Sequence, residues 1–200
     1  MEEELLRGCR RVGLMGGTFD PVHYGHLLAA EAAWETFGLD RVVFLPAGNP
    51  SFKQERHLAS PQNRYDMVRL AIAERPGFVC SAMEITRTGV TYTVDTLEEI
   101  RRVYTGELFF ITGTDAAHSL ADWRDPERIL ELCTFVTVQR PGYQEECVDP
   151  RIRTVVAPAL DVSSSELRER VAQGRSIRYL TPPAVAEYIR EKGLYREAER

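Results

Sequence analysis

Short apolar runs rich in β-branched residues alternate along this chain with longer segments of helical period. Arg11–Met15 reads as a buried strand, Gly16–His23 as the loop behind it, and Tyr24–Phe37 as a helix stopped by Gly38. Arg41–Pro46 reads as a second strand, followed by a long polar connection, Ala47–Ala59, with no periodicity. Ser60 before Pro61 gives an N-cap with proline at the first helical position, opening a helix to about Glu74. Phe78–Ile85 reads as a weaker extended segment. The helix expected from Thr93 to Tyr104 places Val94, Leu97, Ile100 and Val103 on one stripe. Leu108–Thr112, Thr134–Gln139 and Thr154–Val156 read as further strands, with Asp125-Pro126 capping a short helix to Leu132 between the first two. Ser163 with Glu166 three later makes a capping box for a helix to about Gln173. Thr181-Pro182 opens the last helix, which stops at Lys192-Gly193 with a basic last turn.

Strand, helix, strand, helix throughout predicts βαβ crossovers and an α/β architecture with a mainly parallel sheet covered on both faces. Ligands of such sheets bind outside the carboxyl ends of the strands, where the strand order switches. With 200 residues, 44% hydrophobic and 28% charged, the chain fits one domain spanning 1–200, whose C-terminal helical part covers about 163–195. Lys and Arg number 25 against 30 Asp and Glu, a formal net charge of −5. That balance argues against a dedicated nucleic-acid binder but allows a local basic pocket. No apolar stretch approaches the roughly 20 residues that span a bilayer, and the acidic start Glu2-Glu3-Glu4 is unlike a secretory signal. Cys9, Cys80, Cys133 and Cys147 form no CxxC pair, so reduced thiols and a cytoplasmic address are expected.

The loop behind the first strand reads Gly16-Gly17-Thr18-Phe19-Asp20-Pro21-Val22-His23-Tyr24-Gly25-His26. Paired glycines at a strand end let the backbone come close to a ligand and present N–H groups. It is neither a P-loop nor a dinucleotide fingerprint, since Gly-Lys-Ser/Thr and Gly-x-Gly-x-x-Gly are both absent. His23 and His26, three apart at a helix start, project on the same side, where the helix dipole favours anions. A cap at His23 with His26 in the core, or ligation of a metal, are the competing readings; no cysteine nearby completes a ligand set. Downstream, Ser163-Ser164-Ser165 open a helix with Arg168 one turn inside. Three hydroxyls and a guanidinium at a helix N-terminus can hold phosphate oxygens, although a serine-rich start by itself is only a cap.

The string GGTFDPVHYGH resembles the signature of the nucleotidyltransferases with the (T/H)xGH motif, and Val162-Ser163-Ser164-Ser165-Glu166-Leu167-Arg168 resembles their second signature, ISSTxIR. Tyr92-Thr93-Val94-Asp95-Thr96-Leu97, the segment Phe110–Asp115 with Leu120 and Trp123, Arg140-Pro141-Gly142-Tyr143, and Tyr188-Ile189 with Gly193-Leu194-Tyr195 are similar to strings of the bacterial nicotinate mononucleotide adenylyltransferases. The resemblance runs from Val12 to Tyr195. It departs in the loop usually written PxxPPHK, where Phe52 stands for the histidine and Lys53 is kept, and at Ser165 and Leu167, which replace threonine and isoleucine.

That resemblance implies a Rossmann-like, doubly wound fold and the joining of nicotinate mononucleotide with ATP to give deamido-NAD and pyrophosphate. It implies His23, His26 and Arg168 as catalytic residues. ATP would lie against Gly16, Gly17, Thr18, Phe19, His23, His26, Gly113, Asp115, Val162, Ser163, Ser164, Ser165 and Arg168. Nicotinate mononucleotide would lie against Lys53, Tyr92, Thr93, Asp115, Trp123 and Arg140. Mg²⁺ would come with ATP and need no protein carboxylate cluster, since it keeps several waters; nucleic acid and membrane are not expected partners, and both monomer and homodimer stay open. Rival readings are a relative of the same fold acting on nicotinamide mononucleotide or phosphopantetheine, and a regulatory nucleotide-binding module without turnover. Intact His23, His26 and Arg168 speak against the latter.

Overall fold

The computed structural model describes residues 2–49, 58–114, 118–139, 149–158 and 160–196. The apolar runs form one six-stranded sheet. Its strands are β1 (Arg11–Gly17), β2 (Arg41–Pro46), β3 (Phe78–Cys80), β4 (Glu107–Gly113), β5 (Thr134–Gln139) and β6 (Arg153–Val156). Every pairing is parallel and the order is β3-β2-β1-β4-β5-β6. The helices are α1 (Glu2–Leu6), α2 (Tyr24–Phe37), α3 (Pro61–Ile72), α4 (Thr93–Val103), α5 (Pro126–Leu132), α6 (Ser164–Ala172) and α7 (Pro183–Lys192), with a 3₁₀ turn at Leu120–Asp122.

Parallel strands buried on both faces read as continuous apolar runs rather than as alternation, and the sheet shows why. Met15, Val42, Phe44, Phe109, Ile111 and Val136 face a core that also takes Ala30, Ala33, Met67, Val68, Leu167, Val185 and Ile189 from α2, α3, α6 and α7. Their neighbours Val12, Leu14, Val43, Leu45, Leu108, Phe110 and Phe135 face the opposite core, with Leu6, Val94, Leu97, Ile100, Ile129 and Leu132 from α1, α4 and α5. The Rossmann-like expectation therefore holds.

Three local expectations are corrected. Gly16 and Gly17 belong to β1 rather than to the loop, pairing in register with Leu45 and Pro46. The extended segment expected over Phe78–Ile85 is a strand only to Cys80. Beyond it the chain turns tightly: Gly48 crosses the Glu84 carbonyl so closely that a Cβ would lie 2.2 Å from that oxygen. Asp125 stands at the start of α5 in the left-handed region, φ 55°, and makes no side-chain cap bond. The short α1 has no sequence signature, because five residues carry too little periodicity to read. At Ser60 the cap forms as expected, its Oγ accepting from Asn63 N at 3.2 Å, and of the capping box expected at Ser163 and Glu166 the structure shows the serine half, Ser163 Oγ accepting from Glu166 N at 3.1 Å.

The order places β1 and β4 side by side while the chain winds outward from them in opposite directions, to β3 on one side and β6 on the other. The switch point lies between the carboxyl ends of these two strands, at Gly17 and Gly113.

Candidate active site

A cleft of about 870 Å³ opens over that switch point, a size suited to a small-molecule ligand. One wall is the segment from Gly16 to His26. Gly16 and Gly17 are glycines because rings occupy the space a side chain would need: an added Cβ would meet Phe110 at 2.7 Å and Phe19 at 2.9 Å, respectively. Phe19 holds φ at 51°, a left-handed conformation that costs a non-glycine residue about 1–2 kcal/mol. Its ring is 1% exposed, in contact with Phe44 and edge-on to His26. Burying such a ring contributes about 1.5–3 kcal/mol, enough to hold the loop in this shape.

His23 and His26 are stacked, with ring centroids 3.8 Å apart. His23 is the N-cap residue of α2 and buried, and its backbone N–H donates to His26 Nδ1 at 3.2 Å. A neutral His26 therefore carries its proton on Nε2, the form that can donate to an anion. The helix-start and ligand readings are thus compatible in one pair. Among the described residues no group of three or more His, Cys, Asp or Glu gathers as a metal set.

The facing wall is α6. Of its three opening hydroxyls, Ser163 caps the helix, Ser164 donates to the Pro21 carbonyl at 2.9 Å, and Ser165 accepts from Arg168 Nη2 at 3.1 Å. Arg168 Nη1 donates to the Asp20 carbonyl oxygen at 2.6 Å and lies 3.8 Å from the Asp20 carboxylate. Loop and helix are hence stitched into one unit. Val162 completes this side of the cleft.

The other end of the cleft is lined by Tyr92, Thr93, Gly113 and Trp123. Tyr92 is the N-cap residue of α4, so the N–H groups of that helix start, which no carbonyl of the helix itself can take up, lie at this wall. The Arg124 guanidinium lies over the Tyr92 ring at 4.8 Å and pairs with Asp95 at 3.3 Å. Trp123 packs edge-on against Phe110 and Phe135, with centroids 6.1 and 5.9 Å away, and its Nε1 donates to Ser119 Oγ at 3.2 Å. Nothing within 4 Å would meet a Cβ on Gly113, so the end of β4 is open to the cleft. Lys53, Asp115 and Arg140, expected here, lie outside the described residues.

Sequence reasoning missed the buried polar frame beneath this cleft. Arg64, 1% exposed, donates to the carbonyls of Ala59 at 3.1 Å and of Thr18 and Gly48 at 2.9 Å, joining the loops after β1 and β2. Burial lowers its pKa from the ordinary arginine value and the Asp20 charge opposes that shift. Asp20, also 1% exposed, accepts from Ala59 N at 3.1 Å and from Tyr195 Oη at 2.6 Å. Glu84 is the third member. No spacing pattern marks these residues, because each is buried by loops far away in sequence.

The sequence model of the cytidylyltransferase-like family matches residues 14–170. A protein from Thermoanaerobacter sp. (strain X514), named a probable nicotinate-nucleotide adenylyltransferase, is 43% identical, over 100% of this chain and 98% of its own length. One of the same name from Thermus thermophilus is 48% identical, over 93% of this chain and 100% of its own. The chain belongs to this family. A Plasmodium falciparum nicotinic acid mononucleotide adenylyltransferase, solved with NaAD, superposes with a TM-score of 0.77 at 16% identity, covering 93% of this chain and 97% of that one. The adenylyltransferase family's fold is thus kept where sequence identity has nearly gone.

Proposed function

We infer that the protein is a nicotinate mononucleotide adenylyltransferase, transferring AMP from ATP to nicotinate mononucleotide. The observation that carries this reading is one continuous cleft with a histidine–serine–arginine end suited to phosphates and an aromatic end beside a helix N-terminus. A phosphate oxygen of the mononucleotide attacks the α-phosphorus of ATP; the bond from that phosphorus to the β-bridging oxygen breaks, and pyrophosphate leaves with deamido-NAD formed. No protein nucleophile is required. Catalysis is alignment of the two phosphates and neutralisation of charge gathering on the leaving oxygens.

His26, as the Nε2–H form, and His23 donate to the triphosphate, while Ser165 and Arg168 hold its β and γ end. The imidazole, hydroxyl and guanidinium groups gathered here suit phosphate oxygens rather than a hard cation. Mg²⁺ accordingly enters as part of the MgATP substrate, keeping phosphate and water ligands. Trp123 offers its ring to the pyridine, and Tyr92 and Thr93 present the α4 N-terminus to the ring substituent. Lys53, Asp115 and Arg140 join the substrate contacts on the family resemblance. No described helix is long and apolar enough to cross a membrane. A cytoplasmic address suits the use of ATP and cysteine thiols that form no CxxC pair. Incubation with MgATP and nicotinate mononucleotide should give deamido-NAD and pyrophosphate in equal amounts. ATP binding without either product would make this a regulatory module.

A further inference from the structure

One ionisable side chain of the cleft has no part in the reaction as derived above. Glu84 lies in the turn after β3, is 7% exposed and lines the cleft together with Tyr92 and Thr93. Thr96 Oγ1 donates to Glu84 Oε1 at 2.8 Å, and Arg87 Nη1 donates to Thr96 Oγ1 at 3.0 Å. Thr96 sits one turn inside α4, whose start is the Tyr92–Thr93 wall. The backbone of Glu84 is fixed from the other side by Gly48, where no side chain fits. A carboxyl has thus been buried, oriented and tied to the helix end that faces the pyridine substituent, at a place where an apolar residue would cost less to bury.

We propose that Glu84 is a positioning residue that sets acid-against-amide specificity: neutral, it leaves the α4 N-terminus free to receive the substrate carboxylate, and ionised, it repels that carboxylate. The proposal rests on the nicotinate reading of the cleft. Among the described residues, the charged groups facing Glu84 are Arg87 from its own turn and Arg64 from α3. Glu99 of α4 is paired with Arg87 at 2.7 Å, and Asp95 with Arg124 at the cleft rim. Burial outweighs the Thr96 hydrogen bond and both arginines and pushes the Glu84 carboxyl up to about 7. The pocket wall therefore gains a negative charge as pH rises through the neutral range. A bound carboxylate and an ionised Glu84 resist each other, whereas a carboxamide is indifferent.

The readout is the ratio of kcat/KM for nicotinate mononucleotide to that for nicotinamide mononucleotide between about pH 6 and 8.5, the span over which a carboxyl near neutrality changes charge. Titration of the substrate phosphate affects both substrates alike and cancels in the ratio. The wild-type ratio should fall about tenfold across this range, the scale expected of two like charges several ångströms apart at a partly shielded site. Glu84→Gln keeps the acceptor for Thr96 and should flatten the profile, with a ratio at the alkaline end no lower than the wild-type value at the acid end. Arg87→Met, which removes a cation holding Glu84 down, should move the wild-type fall to higher pH; this variant decides the matter if Glu84→Gln does not fold. A flat wild-type ratio, a Glu84→Gln profile that keeps the wild-type slope, or an Arg87→Met profile without displacement overturns the proposal while leaving the nicotinate reading intact. Absence of any turnover of nicotinate mononucleotide overturns both.

Discussion

The two sides of the His26 ring differ: one is used by the fold, and the proposed reading gives the other to the triphosphate. Nδ1 accepts the His23 backbone N–H at 3.2 Å and completes the start of α2, which leaves Nε2 as the donor nitrogen. Losing one preorganised donor to a developing oxyanion typically costs about 100-fold or more in kcat. We expect His26→Ala to lower kcat by at least about 100-fold, measured by pyrophosphate release. The variant should still fold, because the lost cap bond is worth only about 1 kcal/mol. A near-normal kcat would return His26 to a purely structural role. The GGTFDPVHYGH string makes this residue visible from sequence alone, since both histidines and the paired glycines fall at fixed positions in one short segment. Arg64 and Glu84 carry no such signal. An isolated arginine on a helix, or a glutamate in a turn, reads as solvated surface, and only the folding of distant loops over them makes them interior.

Among the elements, the strands and most helices are legible because a parallel sheet buried on both faces needs uninterrupted apolar runs, and its helices carry caps that name their own ends. The edges are less so: Gly16 and Gly17 read as loop, yet pair with β2, since glycine's freedom in sequence says nothing about the Phe110 and Phe19 rings that require it here. The C-terminal segment carries the least expected contact. Tyr188 Oη of α7 lies 3.0 Å from Asn63 Oδ1 and 3.1 Å from Asp66 Oδ2, seating the last helix on α3. Beyond α7, Tyr195 Oη donates to buried Asp20 at 2.6 Å. That bond fastens the chain's last described turn beneath the phosphate loop. Burial, with the Asp20 charge, pushes the Tyr195 hydroxyl well above its ordinary range, so it stays a donor at any working pH. Tyr195→Phe removes a hydrogen bond to a charged group and should destabilise the fold by about 1.5–3 kcal/mol in urea unfolding. An unchanged midpoint would mean that Ala59 N and the Arg168 charge hold Asp20 without the tyrosine.

On the scale of the whole molecule, the proposed reaction has a chain of net charge −5 bind two anionic substrates, which looks unfavourable until distance is considered. At physiological salt the Debye length is about 8 Å, so remote surface charges are screened and the groups lining the cleft decide. The winding of the sheet outward from β1 and β4 brings to one cleft the loop histidines, the α6 serines and Arg168, which the proposed reading assigns to the phosphates, and the α4 N-terminus and Trp123, which it assigns to the pyridine. On that reading, ring stacking on Trp123 would serve acid and amide equally. The helix N–H donors do not: a carboxylate accepts from them, whereas an amide sets its own NH₂ against one donor, and each buried polar group left unpaired costs about 1–3 kcal/mol. The most direct test of the account is therefore kcat/KM for nicotinate mononucleotide and for nicotinamide mononucleotide, with MgATP at about pH 6.5, where a carboxyl near neutrality is still largely protonated. A preference for the acid of about 100-fold or more is the predicted result. Equal values, or a preference for the amide, would contradict the nicotinate reading.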